Sequence, residues 1–349
     1  MNPKRILFSW ILTLFATISF AQFLDVNLGF NPEPRGESGV RIMFYNIENL
    51  FDTYDDPAIN DDEFTPNGDK NWSYYRYKQK LNNIAKTIIA VGGWEAPALI
   101  GLCEIENYQV LLDLITDTPL AKFGYQIVHE NSNDLRGIDV AILYRSEKLV
   151  KISHKSINIE DNSLVTRDIL HATFTFYQKD TIHFFVNHWP SRRGGKEFSE
   201  KKRVLVSSVL RSKIDSLQAT NAFSKIMIIG DFNDEPSDQS LFVTLNAIPV
   251  NSTIDAVQLY NLSFQDYRLG KGTLVYKEID HTWFLFDQMI VSSAVINGQG
   301  LITKGKKCVI FKAEWLLKND RPFRTYQGPV YRGGYSDHLP IYIDLYYKD

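Results

Sequence analysis

The chain has 349 residues, 44% apolar, 13% aromatic and 23% charged, a composition that supports a sizeable core and excludes intrinsic disorder, collagen and coiled coil. With 38 basic residues against 41 acidic ones the formal charge is -3, so bulk positive charge is not what holds a polyanionic partner. Cys103 and Cys308 are the only cysteines, which rules out a disulfide framework and a four-cysteine zinc site.

In chain order, Lys4 and Arg5 precede an apolar run from Ile6 to Phe20, and Ser19 and Ala21 are the small residues before Gln22. This pattern predicts a cleaved secretory signal peptide over residues 1–21 and a secreted or periplasmic protein. The run is shorter than the ~20 residues that span a bilayer, and no cysteine follows for lipidation, so no stable membrane insertion is expected after cleavage. Removing Lys4 and Arg5 from the 38 basic residues leaves 36 against 41 acidic ones, a balance of -5. Residues 22–39 contain Pro, Gly and polar residues without periodicity and read as a leader. No Pro, Gly or Ser-rich linker divides the remainder, and a single domain over 40–349 is expected.

GVRIMFYNI reads as a buried strand, and Tyr77, Leu81, Ile84, Ile88 and Val91 fall on one face of a helix. ALIGLCE is a strand, YQVLLDLI a helix, GYQIVHE and IDVAILYR further strands, and ILHATFTFY with TIHFFVNH a hairpin pair. A helix from about Lys196 to Leu217 leads into the strand KIMIIGDFN, with later strands at TLVYKEI, WFLFDQMIVS and LPIYIDLYY. The alternation indicates an α/β protein with mixed, largely buried sheets.

A short set of polar residues ends or interrupts these apolar strands: Asn46, Glu104, Asp139, His188, Asp231 with Asn233, Asp287, and Asp337 with His338. Burying them unpaired is costly, so they are expected to meet one another, water or a metal in one shared site. Carboxylates and an amide without sulfur suit Mg²⁺ or Mn²⁺ rather than zinc. Magnesium completes its shell with water and substrate phosphate, which makes phosphate-ester hydrolysis the natural reaction. Enzymes on such esters lower the barrier by on the order of 20 kcal/mol, whereas a general base supplies ~10² to 10⁴ in rate and one preorganised donor ~3 kcal/mol. A cluster is required.

The series YNIEN, LCEIEN, RGIDVAILY, VNHWPS, GDFNDEP, FDQMIVS and YSDHLP resembles the endonuclease/exonuclease/phosphatase superfamily, in that family's order and from Val40 to the C-terminus. The resemblance implies a four-layer α/β sandwich, two mixed β-sheets packed face to face with helices on the outer faces, and a site along one edge. It implies that Glu104 binds the metal, that Asn46 supports the metal through water or a hydrogen bond, and that Asp337 sits nearby. Asp231 and Asn233 would orient the attacking water and the scissile phosphate. Asp287 would pair with His338, and His188 would be held by a carboxylate on the DVAILY strand, for which Asp139 is the candidate. Activation of the water by Asp231 or by His188 stays open.

Arg192, Arg193 and Lys196 follow His188 in SRRGGK and are placed to reach flanking phosphates. Tyr75, within YYRYK, is a candidate to stack on bases. The loop from Asp52 to Lys70 carries Asp52, Asp55, Asp56, Asp61, Asp62, Glu63 and Asp69; its spacing fits no EF-hand, and it reads as a solvated acidic loop with Ca²⁺ as the alternative. The expected function is an exported endonuclease on DNA or RNA, acting as a monomer. The alternative is a phosphatase or phosphodiesterase on small esters such as inositol phosphate or sphingomyelin, against which Trp283 stands too far from Asp287 for the inositol-phosphatase pattern. A third reading, an inactive surface-binding module, requires the loss of a metal or histidine position, and none is lost.

Overall fold

The computed structural model describes residues 39–348 except 160–163, 178, 252, 276–280 and 304. The expected signal peptide, and the leader up to residue 38, lie outside the described residues. The first part of the chain runs β1 (Gly39–Leu50), α1 (Tyr74–Gly92), β2 (Leu99–Ile105), α2 (Tyr108–Thr116), β3 (Tyr125–His129) and β4 (Asp139–Arg145). The middle runs β5 (Leu149–Ile157), β6 (Ile169–Phe176), β7 (Asp180–His188), α3 (Lys196–Thr220) and β8 (Lys225–Asp231). Short pieces then follow: β9 (Ala247–Pro249), β10 (Leu259–Asn261), α4 (Phe264–Arg268), β11 (Leu274–Val275), β12 (Trp283–Phe284), β13 (Asp287–Ser292), α5 (Ser293–Asn297), β14 (Gly300–Thr303) and β15 (Val309–Ile310). The chain ends with the two small hairpins β16 (Leu317–Lys318) with β17 (Arg321–Pro322) and β18 (Tyr326–Gln327) with β19 (Val330–Tyr331), then β20 (Ile341–Lys348).

β1 shows why the layers form. Val40, Ile42 and Phe44 pack to one side and Met43, Tyr45 and Ile47 to the other, all buried. A strand buried on both faces needs a covering layer on each. The first sheet has the order β14-β20-β1-β2-β4-β3, with β15 also on β20; the second has the order β5-β6-β7-β8-β13-β10-β9. Both are mixed: β1 runs parallel to β2 but antiparallel to β20, and β8 runs parallel to β7 but antiparallel to β13.

Between the sheets, Phe44 and Ile142 meet Phe174, Phe184, Val186, Met227, Ile229 and Met289. Gly101 lies at the closest approach, where a Cβ would stand 2.7 Å from Ile229 Cδ1. On the outer face of the first sheet, α1 buries the expected stripe Tyr77, Leu81, Ile84, Ile88 and Val91. Its start is capped by Ser73, whose side chain accepts from the Arg76 N–H. On the outer face of the second sheet, Val206, Leu210 and Ile214 of α3 pack on Ile226 and Ile228. The result is the four-layer sandwich, helices outside two facing sheets. No helix among the described residues is long and apolar enough to cross a membrane.

The differences from the sequence reading are local. Strand β1 already includes Gly39, assigned to the leader by composition. TLVYKEI keeps only β11 as strand, with residues 276–280 outside the described residues. WFLFDQMIVS breaks in two because Phe284 pairs with Leu274 in a separate ribbon while Asp287 starts pairing with β8. Cys103 and Cys308 are both buried free thiols.

Neighbouring strands of the second sheet carry a histidine pair whose ionisation is tied to folding. His171 Nε2 lies 3.1 Å from His183 Nδ1, and the His171 ring stacks on Phe185 at 4.3 Å between centroids. Burial, and then the His183 charge, lower the His171 imidazole to about 4. The unfolded chain therefore binds more protons below the ordinary imidazole range, and the stability this site contributes is present above about pH 6.5 and lost as pH falls toward 4. In urea titrations the stability difference between wild type and His171→Leu should shrink by about 1–3 kcal/mol between pH 7.5 and 4.5. A constant difference would contradict this.

Candidate active site

Three neighbouring strands of the second sheet bring three of the expected residues into one row. His188 at the end of β7 is opposite Asp231 at the end of β8, and Asp287 at the start of β13 is opposite Asp231 on its other side. Gly230 permits this: a Cβ there would meet the Asn187 carbonyl oxygen at 2.4 Å. From the first sheet, β1 supplies Asn46 and β2 supplies Glu104. Leu102 and Ile105 both face the outer core, so Glu104 is an extra residue in a register slip, with φ at 65°. Such a bulge re-aims one side chain, and a non-glycine residue holds the left-handed region only where its surroundings enforce it.

Asn46 joins the two sheets. Its Nδ2 donates to Glu104 Oε1 at 3.2 Å and to Asp231 Oδ2 at 3.0 Å, while its Oδ1 accepts from the Glu48 N–H at 3.0 Å. The second Glu104 oxygen accepts from the Asn49 N–H at 2.8 Å. Asp231 Oδ1 accepts from the Asn233 N–H at 2.9 Å, and Asn233 Nδ2 donates to the Trp189 carbonyl at 3.0 Å. Around Asp231 Oδ2 stand His188 Nε2 at 3.7 Å and His338 Nε2 at 3.9 Å; His188 Nε2 is also 3.9 Å from Glu104 Oε1. His338 Nδ1 is 2.7 Å from Asp287 Oδ2, an oxygen that also accepts from the Thr273 hydroxyl. Ser336 donates to the Asn46 carbonyl at 2.7 Å and accepts from the His338 N–H at 3.0 Å, which fixes the SDH segment against β1.

These environments separate the two imidazoles. Burial works against a charged His338, but the charge and hydrogen bond of Asp287, with Asp231 beyond, hold it well above the ordinary imidazole range. Burial, then the Arg167 and Arg136 charges, push His188 well below it. Burial raises Asp231 to about 7, with His338 pulling it down and Asp287 pushing it up. One neutral and one cationic imidazole flank a carboxylate whose proton affinity is close to neutrality. Divergent environments of this kind separate acid from base roles.

Among the described residues, the group whose ligand atoms all lie within 4.8 Å of one another is Asp231, Asp287 and His338. Within that group Asp287 and His338 are already bound to each other at 2.7 Å, and Glu104 brings a further carboxylate oxygen to 3.9 Å from His188 Nε2. Lys80 and Arg324 lie close enough to Glu48, Glu104 and Asp337 for their charges to interact.

Two expectations need correction, those for Asp139 and for Arg192. Asp139 does not partner His188: its oxygens are taken by His129 Nε2 at 3.2 Å, by the Ser132 N–H at 2.9 Å and by the Ser132 hydroxyl at 2.5 Å. His188 Nδ1 is buried without a hydrogen-bond partner among the described residues. Arg192 is not free for substrate, because it donates to the Asn233 carbonyl at 2.8 Å and to Asp234 and Asp238 at 3.1 and 2.5 Å and lies over the Phe286 ring. It braces the GDFND turn from inside. Asn46 donates from Nδ2 to both carboxylates, which agrees with the hydrogen-bond support of Glu104 expected of it. Asp337 is partly exposed and pairs with Arg324 at 2.8 Å. Arg193 is exposed, and so is Tyr75, in the first turn of α1.

Sequence reasoning missed Glu48, Lys80, Thr273 and Arg324. Glu48 is 5% exposed and accepts from the Thr325 N–H at 2.6 Å; burial, then the Asp337 charge, raise it to about 7. Lys80, 1% exposed, donates to Thr325 Oγ1 at 2.5 Å and to the Tyr335 carbonyl at 2.8 Å. The signal for both was present: each is a charge on an otherwise buried strand or helix face.

Residues 41–347 match the endonuclease/exonuclease/phosphatase family. The chain belongs to that family. Endonuclease/exonuclease/phosphatase enzymes hydrolyse phosphoric esters and use divalent metals. No curated protein matches the chain by sequence. Among solved structures, humanised D. rerio TDP2 is similar at 14% identity and a TM-score of 0.56, covering 88% of this chain and 99% of its own. A Bacteroides thetaiotaomicron mannosyl-6-phosphatase is similar at 16% identity and 0.55, covering 88% of this chain and 100% of its own. The human Nocturnin catalytic domain, with bound sulfate, is similar at 15% and 0.55, covering 89% and 95%. At these identities the likeness is one of fold.

Of the two aspartates considered as histidine partners, only Asp287 touches its histidine. With bis(4-nitrophenyl) phosphate as substrate, Asp287→Asn should lower kcat by ~10² to 10⁴, while Asp139→Asn should lower it by less than about tenfold. Equal losses would show that His188 depends on Asp139 after all.

Proposed function

We propose that the chain is a divalent-cation-dependent phosphodiester hydrolase whose substrate is nucleic acid, DNA or RNA. The observation that carries the reading is the Asp231 carboxylate, with His188 Nε2 at 3.7 Å on one side and His338 Nε2, braced by Asp287, at 3.9 Å on the other. The similar folds include a D. rerio TDP2 in complex with a single-strand DNA product. Residues 1–21, read as a signal peptide, assign the work to the outside of the cytoplasm.

Asp231 is placed to orient a water and take its proton, since its own proton affinity is matched to neutral solution. His188 Nε2, uncharged, is the second acceptor facing the same oxygen. His338, fixed by Asp287, donates to a phosphate oxygen as charge develops there, the kind of preorganised contact worth ~3 kcal/mol. Asn233 holds the turn that aims Asp231. Glu104 and Asp337 are the residues to hold Mg²⁺ or Mn²⁺, with Asn46 keeping Glu104 in place. When bound, the cation supplies Lewis-acid stabilisation of the phosphate oxygens.

A second reading, hydrolysis of small phosphate esters, is favoured by one observation: Arg192, the residue best placed in sequence to grip a flanking backbone phosphate, is spent on Asp234 and Asp238. Purified mature protein should nick plasmid DNA with Mg²⁺ or Mn²⁺ and lose that activity in EDTA. Asp231→Asn and His338→Ala should each cost at least ~10² in rate. Cleavage of a diester dye without cleavage of plasmid or RNA would transfer the assignment to small esters.

A further inference from the structure

His338 stands on a stretch of chain with no sheet or helix of its own. Between β19, which ends at Tyr331, and β20, which starts at Ile341, residues 332–340 run without helix or strand. Their backbone groups still need partners, and where those partners lie shows what holds the segment. The N–H groups of Arg332 and Gly333 donate to the Thr325 carbonyl, and that of Tyr335 donates to the Phe323 carbonyl. The three consecutive carbonyls of Gly333, Gly334 and Tyr335 all turn to one helix, α1. Asn83 Nδ2 donates to the first two at 3.3 and 2.8 Å, and Lys80 Nζ donates to the third at 2.8 Å.

Both donors are three residues apart on α1, so they share a face of the helix beside its apolar stripe. Both are buried, Lys80 at 1% and Asn83 at 7% exposure. Arg76, one turn earlier, lies over the Tyr331 ring at 4.5 Å, and Lys86, further along, donates to the Tyr335 hydroxyl at 2.9 Å. A buried ammonium is costly unless it is hydrogen-bonded and faced by opposite charge. Lys80 meets both conditions, through Thr325 Oγ1 and the Tyr335 carbonyl and through the nearby charges of Glu48, Asp337 and Glu104. From Tyr335 the chain passes directly into Ser336, which donates to the Asn46 carbonyl and accepts from the His338 N–H.

We propose that Lys80 and Asn83 are positioning residues for His338: by fixing the three carbonyls that precede Ser336, they set how the His338 imidazole approaches Asp231. They act through the backbone, from a helix on the outer face of the first sheet. The inference rests on the phosphoester reading and adds to it two residues outside the row of catalytic side chains. His338 Nε2 stands 3.9 Å from Asp231 Oδ2. A misplacement of about 1 Å in such an arrangement costs ~10² in rate.

The test is a double-mutant cycle with bis(4-nitrophenyl) phosphate and Mg²⁺. Lys80→Met should lower kcat by about tenfold to a hundredfold while KM changes by less than about threefold. In a His338→Ala background the same substitution should change kcat by less than about threefold, because the group it positions is already gone. Asn83→Ala, expected to lower kcat by about fivefold to thirtyfold, runs through the same cycle and decides the matter if Lys80→Met does not fold. In NMR spectra the His338 ring resonances should move in both variants, while those of His171 on the second sheet stay in place. A wild-type protein that hydrolyses no diester refutes the phosphoester reading, and the His338 resonances then decide the positioning alone. Losses of equal size with and without His338, or His338 resonances that neither variant moves, overturn the inference.

Discussion

A single buried amide sets the geometry of the catalytic edge. Asn46 Nδ2 donates at once to Glu104 on its own sheet and to Asp231 on the facing sheet, and its oxygen is pinned by the Glu48 N–H. Two carboxylates brought this close in a water-poor setting repel each other, and such an arrangement stands only with neighbouring donors and positive charge. The donors are Asn46, Asn49 and Asn233; the positive charge is His338 and, in the proposed holoenzyme, a divalent cation. The sheet-to-sheet approach at Gly101 serves the same end, since the two sets of strand ends meet only if the sheets pack closely.

Around this core the field is graded. His338, braced by Asp287, is held cationic; His188, buried near Arg167, is held neutral. A second layer, in which burial raises Glu48 to about 7 and lowers Lys80 to about 8, ties the C-terminal hairpins to β1 and α1. That layer explains how short strands with little core of their own form a defined wall beside the catalytic residues. The C-terminal hairpins and the catalytic edge meet at Arg324, which pairs with both Glu48 and Asp337.

Much of this was legible in the sequence because the strands are apolar and end abruptly in a polar group. Asp231, Asp287 and His188 announced themselves that way, and the register of β7, β8 and β13 turns three separate strand ends into one row. The helix α1 was legible from its apolar stripe of Tyr77, Leu81, Ile84, Ile88 and Val91. Other features depend on tertiary contacts that no local pattern encodes. Arg192 was readable as a basic residue after His188, but not its capture by Asp234 and Asp238. Asp139 interrupts a strand like the others, yet the facing partner is His129, one strand over on β3. The small hairpins β16–β17 and β18–β19 went unseen because two-residue strands carry no periodicity.

The account stands or falls on where a divalent cation binds. Crystals soaked in Mn²⁺ and measured at the manganese absorption edge locate the ion directly. The expected anomalous peak is bonded to a Glu104 carboxylate oxygen, with the Asp287–His338 pair undisturbed. A peak elsewhere, with none at Glu104, would contradict the assembly described for this edge.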